Sequence, residues 1–239
     1  MLNSDELSSN KTDLLASLAK SSVGIVPFAG PLLSEIVGSV IPNQRIDRLA
    51  KYIKVLDEKL SSIPVEKITK LINNEEFIDL IEEGFFQASR AISDDRRKYI
   101  ASIVSNGIAD DSIELLGSKY LLKILEELND VEIIWLKSYY NSSIGGDQEF
   151  MKKHENVLTP IYATADDDET SNNKSAIQKS YKEHLERIEL IKRSIRFNRS
   201  TGLPEYDKNT GEPKISYRKI TPLGKLLLDR MGLIGENKE

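Results

Sequence analysis

The chain has 239 residues, 39 % hydrophobic and 30 % charged, with 33 Lys and Arg against 38 Asp and Glu and a formal net charge of −5. That balance excludes a disordered polyelectrolyte and a membrane-embedded chain, and it argues against blanket binding to nucleic acid. The absence of cysteine excludes disulfides, thiolate metal sites and a cysteine nucleophile, and fits a reducing cytoplasm.

The opening stretch MLNSDELSSNKTD is polar and acidic, unlike a secretory signal. SVGIVPFAGPLLSEIVGSVIP follows, with Glu35 its single charge. Pro27 and Pro31 interrupt it, so one simple spanning helix is not expected. The pattern predicts two short helices, from about Thr12 to Val26 and from Pro31 to just before Pro42. Val23, Ile25, Phe28, Leu32, Leu33, Ile36 and Val37 form an apolar hairpin, read either as core or as a membrane-active element over residues 14–41. Ile46, Leu49, Ile53, Leu56 and Leu60 then predict an amphipathic helix, and a short helix follows Pro64. Asn74 is a cap, Glu75 and Glu76 suit the positive end of the next helix, and Phe77, Leu80, Ile81, Phe85 and Ala88 form its stripe. Ser93 caps another, with Asp94 and Asp95 in its first turn. Two more helices, DSIELLGSKYLLKILEEL and DVEIIWLKSYY, are broken at Asn129 and Asp130, and Trp135 reads as core. A polar, acidic loop is expected over about 142–173.

The C-terminal end changes character. KSAIQKSYKEHLERIELIKRS places Ile177, Tyr181, Leu185 and Ile188 on one helical face. The pattern then shifts towards period two, with KNTG as a turn between candidate strands, and TPLGKLLLDRMGL closes the chain as a helix with Thr221 as cap and Pro222 first. From Lys174 to Arg230 there are fourteen Lys and Arg against seven Asp and Glu, a surplus of +7 that leaves −12 on the remainder. A basic end on an acidic body points to an anionic partner.

No signature of chemistry accompanies these elements. The two histidines, His154 and His184, stand thirty residues apart without metal spacing, and there is no G-x-S-x-G and no Walker loop. Asp166, Asp167, Asp168 and Glu169 are consecutive and cannot wrap an ion, YDKNTGE reads as a turn, and SDDRR reads as a helix start. The expectation is a non-enzyme with no cofactor and no bound metal.

HLERIELIKRS…KISYRKITPLGKLLLDRMG resembles the recognition helix, wing and final helix of bacterial winged-helix domains, over about the last quarter of the chain. One departure stands out: Glu189 occupies the position before LI where that pattern has glycine, so the helix is expected to run on and shift the wing. IVPFAGPLLSEIVGSVIP, NQRIDRLAKYI and YIASIVSNGI resemble a family of uncharacterised bacterial helical proteins, with a layout similar to abortive-infection alpha proteins. The run of helical periods before residue 142 predicts a mainly α chain, a multi-helix bundle, and the first resemblance adds a small C-terminal winged-helix-like α+β module. The expected domains are a helical bundle over 1–128 and the module over 129–239. The resemblances also imply a cytosolic bacterial protein, membrane-associated on activation, acting in phage defence through a protein partner. Two alternatives stand beside that effector. One is a DNA-binding regulator that uses Lys174, Lys179, Lys182 and Arg187 on the helix and Lys208, Lys214 and Arg218 in the wing. The other is a structural subunit of a larger assembly.

Overall fold

The computed structural model describes residues 43–143, 147–161, 168–208 and 211–235. Every candidate residue of the apolar hairpin, from Val23 to Val37, lies outside them. Among the described residues the chain is mainly helical, with one small antiparallel sheet of two strands near its C-terminal end. No helix among them is long and apolar enough to cross a membrane. They fall into two compact units: residues up to 127 together with 230–235, and residues 128–229.

The first unit is built from α1 (Asn43–Leu60), α2 (Val65–Leu71), α3 (Glu75–Arg90), α4 (Asp94–Ala109) and α5 (Leu115–Glu127). Helix α1 packs on α3 and α4, and α5 packs on both of these as well. The expected stripe of α3 is buried in full, Phe77, Leu80, Ile81, Phe85 and Ala88 each at 5 % exposure or less. On α1 the buried line includes Tyr52, whose ring meets Phe85 edge-on at 5.5 Å between centroids. The helix starts are set by short polar side chains. Asn74 Oδ1 accepts from the amides of Glu76 (2.8 Å) and Phe77 (3.2 Å), and Ser93 Oγ accepts from that of Arg96 (3.1 Å). In the SDDRR stretch Arg97 is buried and donates to the Ala91 carbonyl (2.5 Å) and to the Asp94 carboxylate. Residues 230–235 are fastened here by Arg230, which donates to Asp110 and, at 2.9 Å, to Ser112 Oγ. Hydrogen bonds from Ser112, then Arg230, hold the Asp110 carboxyl down at about 2.

The second unit is built from α6 (Asp130–Ser143), α7 (Gln148–Lys153), α8 (Glu155–Leu158), α9 (Glu169–Arg187), β1 (Ile191–Ile195), β2 (Ile215–Ile220) and α10 (Pro222–Arg230), whose last residue belongs to the first unit. Helix α6 is its spine, packing on α8, α9 and β2. Part of the stretch expected as a polar loop is helical. Asp147 Oδ1 accepts from the Phe150 amide (2.9 Å) to start α7, and Asp168 Oδ1 accepts from the Ser171 amide (2.6 Å) to start α9.

The face expected for α9 is also corrected. Ile177 is 53 % exposed, and the buried positions are Gln178 and Leu185. A buried amide wins over an isoleucine because all its valences are used. Gln178 Oε1 accepts from the Ile161 amide (3.1 Å) and Nε2 donates to the Thr159 carbonyl (2.9 Å), tying residues 159–161 to α9.

Nor does α9 run on past Glu189. The helix ends at Arg187, and Glu189 takes φ 61°, the left-handed conformation that glycine normally supplies. The Leu190 amide donates back to the Leu185 carbonyl (3.0 Å) and the Glu189 amide to that of Glu186 (3.1 Å). Leu185 and Leu190 are both fully buried, so the hydrophobic contact of this helix stop outweighs the strain of a side chain at φ > 0. Glu189→Gly should therefore stabilise the second unit by about 0.5–1 kcal/mol, the relief of strain less the added freedom of the unfolded chain. A urea midpoint that moved downward in this variant would contradict the assignment.

Candidate nucleic-acid interface

Residues 191–220 carry eight Lys and Arg and three Asp and Glu, a marked local excess of positive charge. The β1–β2 ladder is their stem, with Ile191 opposite Ile220, Lys192 opposite Lys219, Arg193 opposite Arg218 and Ser194 opposite Tyr217. Ile191 is buried and faces the body of the unit, which sets the sense of the alternation. Two like-charged pairs thus sit directly across the ladder, one on each face.

The inward pair is neutralised. Glu186 of α9, only 14 % exposed, lies 2.5 Å from Arg218 Nε and 3.8 Å from Arg193 Nε. The outward pair, Lys192 and Lys219, is exposed and has no ion pair among the described residues. Like charges directly opposite on a sheet cost about 0.2–1 kcal/mol. The fold gains nothing from this one.

Beyond the stem the hairpin is not one turn but two. Arg196, Glu205 and Lys214 close a ring of backbone hydrogen bonds, each 2.8 Å: Arg196 N–H to Lys214 O, Lys214 N–H to Glu205 O, and Glu205 N–H to Arg196 O. Two lobes leave this junction. In the first, Phe197 bridges Pro204 and the Gly202 amide donates to the Asn198 carbonyl (2.9 Å). In the second, Tyr206 bridges Pro213 and the Gly211 amide donates to the Asp207 carbonyl (2.9 Å). Gly202 and Gly211 have φ 69° and 70°, which closes both turns in the same way. The cause is a tandem repeat of nine residues, FNRSTGLPE at 197–205 and YDKNTGEPK at 206–214, a match of aromatic, Asx, cation, polar, Thr, Gly, variable, Pro and charge. The expectation of a single KNTG turn misses the first copy.

Of the seven candidate cations, five are exposed and two are not available. Lys174, Lys179 and Arg187 lie exposed on α9, Lys179 within 3.5 Å of Glu183. Lys208 sits in the second lobe and Lys214 at the junction, both exposed. Arg218 is committed to Glu186. Lys182 lies over the ring of buried Trp135 at 4.3 Å, and burial, then Arg218, lower its pKa. The expectation that Lys182 and Arg218 face a partner is corrected: both are used inside the unit. Lys192, Arg199 and Lys219 were not among the candidates and are exposed on the same hairpin. Arg199 stands in the first lobe where Lys208 stands in the second, and the nine-residue period is the signal that finds it.

At the foot of the hairpin an open cleft of about 680 Å³ is lined by Glu183, Glu186 and Glu189 as well as Arg187, Lys192 and Arg193. Its three carboxylates are matched by three cations, so the cleft carries no surplus of either sign. The described residues contain no group of three or more His, Asp or Glu placed to hold a metal ion. Searches against protein-family models, curated proteins and solved structures return no match for this chain.

Proposed function

We propose that this chain is a non-enzymatic, cytosolic interaction protein whose C-terminal unit acts as a winged-helix-like module and holds a nucleic-acid backbone on its wing. The observation that supports this reading is the outward Lys192–Lys219 pair, a cross-strand repulsion with no ion pair among the described residues. Together with Arg199, Lys208 and Lys214 it forms a cation set that the fold does not neutralise. Such a set attracts phosphates and releases their counterions, which makes binding fall steeply with salt. The effector reading, with a membrane-active hairpin, rests on the sequence of residues 14–41. Deleting residues 1–42 tests it, and unchanged toxicity in cells would end it.

Lys192→Glu separates the binding role from a structural one. It places a carboxylate opposite Lys219 but also in the cleft lined by Glu183, Glu186 and Glu189, so the two effects offset and the stability should stay within a few tenths of a kcal/mol of the parent. Its affinity for a labelled DNA oligonucleotide should fall by about tenfold, and the slope of log K against log salt should shrink by about one. Unaltered affinity and slope in a well-folded Lys192→Glu protein would remove nucleic acid from consideration for this face.

A further inference from the structure

The junction has two faces, and they differ in kind. Arg196, Glu205 and Lys214 share one, on which Arg196 Nε lies 3.3 Å from Glu205 Oε2. Alternation along the chain turns the residues that follow each of them, Phe197, Tyr206 and Ile215, to the other. Phe197 and Tyr206 are each 55 % exposed and Ile215 37 %, with Ile195, opposite Ile215 in the ladder, at 36 %. A phosphate-binding wing needs no aromatic side chain in water. Here the repeat supplies one per lobe, at the same position, one residue after the junction and two before the lobe's cation, Arg199 or Lys208.

We propose that the two lobes are equivalent base-stacking units, and that the module binds an unpaired strand in preference to a duplex. This rests on the nucleic-acid reading given above, with Arg199 and Lys208 of the lobes as the cations that serve the aromatic face, since the alternation puts Lys192, Lys219 and Lys214 on the other face of the ribbon. Each unit couples a π-face, which any base can cover, to a cation that meets the adjoining phosphate. That combination recurs where single strands are held without sequence preference. A duplex keeps its bases stacked on one another and offers only phosphates to this surface. The charge of the occupant is set by the five cations of residues 191–220 that have no ion pair among the described residues, Lys192, Arg199, Lys208, Lys214 and Lys219, which disfavour an apolar protein surface lacking negative charge. Helix α9 argues in the same direction, because a helix bearing Glu183 and Glu186 is poorly suited to lie in a major groove.

The test is fluorescence anisotropy of the full chain with labelled oligo(dT), oligo(rU) and a duplex of equal length, at two salt concentrations. Phe197→Ala and Tyr206→Ala should each weaken strand binding about tenfold and leave duplex binding within twofold. Phe197→Leu, which keeps apolar bulk but no π-face, should be as weak as Phe197→Ala, with circular dichroism unchanged in all three. The two oligonucleotides tell whether the sugar matters. Equal affinity for strand and duplex, with the aromatic variants unaltered, would overturn the stacking inference and leave the backbone reading standing. Binding to neither would remove both. Variants that alter sedimentation but not strand affinity would also overturn it, and assign the face to contact between copies.

Discussion

Gly224→Ala should cost the C-terminal unit about 3 kcal/mol, although alanine is the better helix former. Gly224 lies in the first turn of α10. A Cβ built there would stand 2.2 Å from the Leu190 carbonyl oxygen and 2.9 Å from Ile220 Cγ1. Contact with backbone at that distance cannot be relieved by a side-chain rotation. The turn meets at Thr221: its amide donates to the Leu190 carbonyl (3.0 Å), its hydroxyl donates to the Glu189 carbonyl (2.6 Å) with the Leu190 carbonyl further off (3.1 Å), and its Oγ1 accepts from the Gly224 amide (3.1 Å). Moving α10 away therefore loses helix cap and strand start together. Overpacking of about 1–3 kcal/mol and two hydrogen bonds of about 1 kcal/mol each exceed the gain of about 1 kcal/mol in helix propensity. The single tryptophan, Trp135, is buried in this unit, so its fluorescence reports the unit's unfolding. The urea midpoint should fall by roughly 2 M, given a slope near 1–2 kcal/mol/M. Gly235→Ala, with open space around it, is the control, and a Gly224→Ala midpoint equal to that control would refute the account.

The same turn shows where local sequence is a good guide and where it fails. Asn74, Ser93 and Thr221 are legible as caps, because a cap needs only its own short side chain and the next amides. The stripe of α3 is legible for a similar reason: its period is local, and nothing distant competes with it. Glu189 is not. Whether a helix stops at a non-glycine residue depends on the burial of Leu185 and Leu190, which no spacing rule contains. Gln178 displaces Ile177 from the buried face for the same kind of reason, since its partners lie seventeen and nineteen residues away.

Charge counting on the candidate interface misleads in a related way. Lys182 and Arg218 are as basic in sequence as Lys208 or Lys214, yet Trp135 and Glu186 take them out of the surface. What remains legible, once a period of nine is sought, is the repeat. It places an aromatic and a cation in each lobe without any knowledge of the fold. Its signal is weak to a reading based on helical and strand periods because nine matches neither.

Glu132→Ala should be comparably damaging, and it probes how α9 is held. Glu132 is buried at 3 % exposure in the first turn of α6 and has a partner on each oxygen. Oε2 accepts from the Asn129 amide (2.9 Å), while Asn129 Oδ1 accepts from the Glu132 amide (2.9 Å), a reciprocal cap. Oε1 lies 2.6 Å from His184 Nδ1 on α9, and since a carboxylate accepts, Nδ1 supplies the hydrogen. Alanine leaves the Asn129 amide and the half-buried imidazole Nδ1 without this acceptor, a cost of about 3 kcal/mol. Glu132→Gln can satisfy one of the two donors and should cost roughly half as much. Combining Glu132→Ala with His184→Ala should be less than additive by about 1.5 kcal/mol or more, because the second change removes a donor the first has already orphaned. Trp135 fluorescence in urea reads all four proteins. Additive effects would show that the two side chains act independently, and that α9 is positioned by Gln178 and by Lys182 on Trp135 instead. A coupled pair would make the α6–α9 seam the frame on which the wing is presented, since only three residues separate the end of α9 from the start of β1.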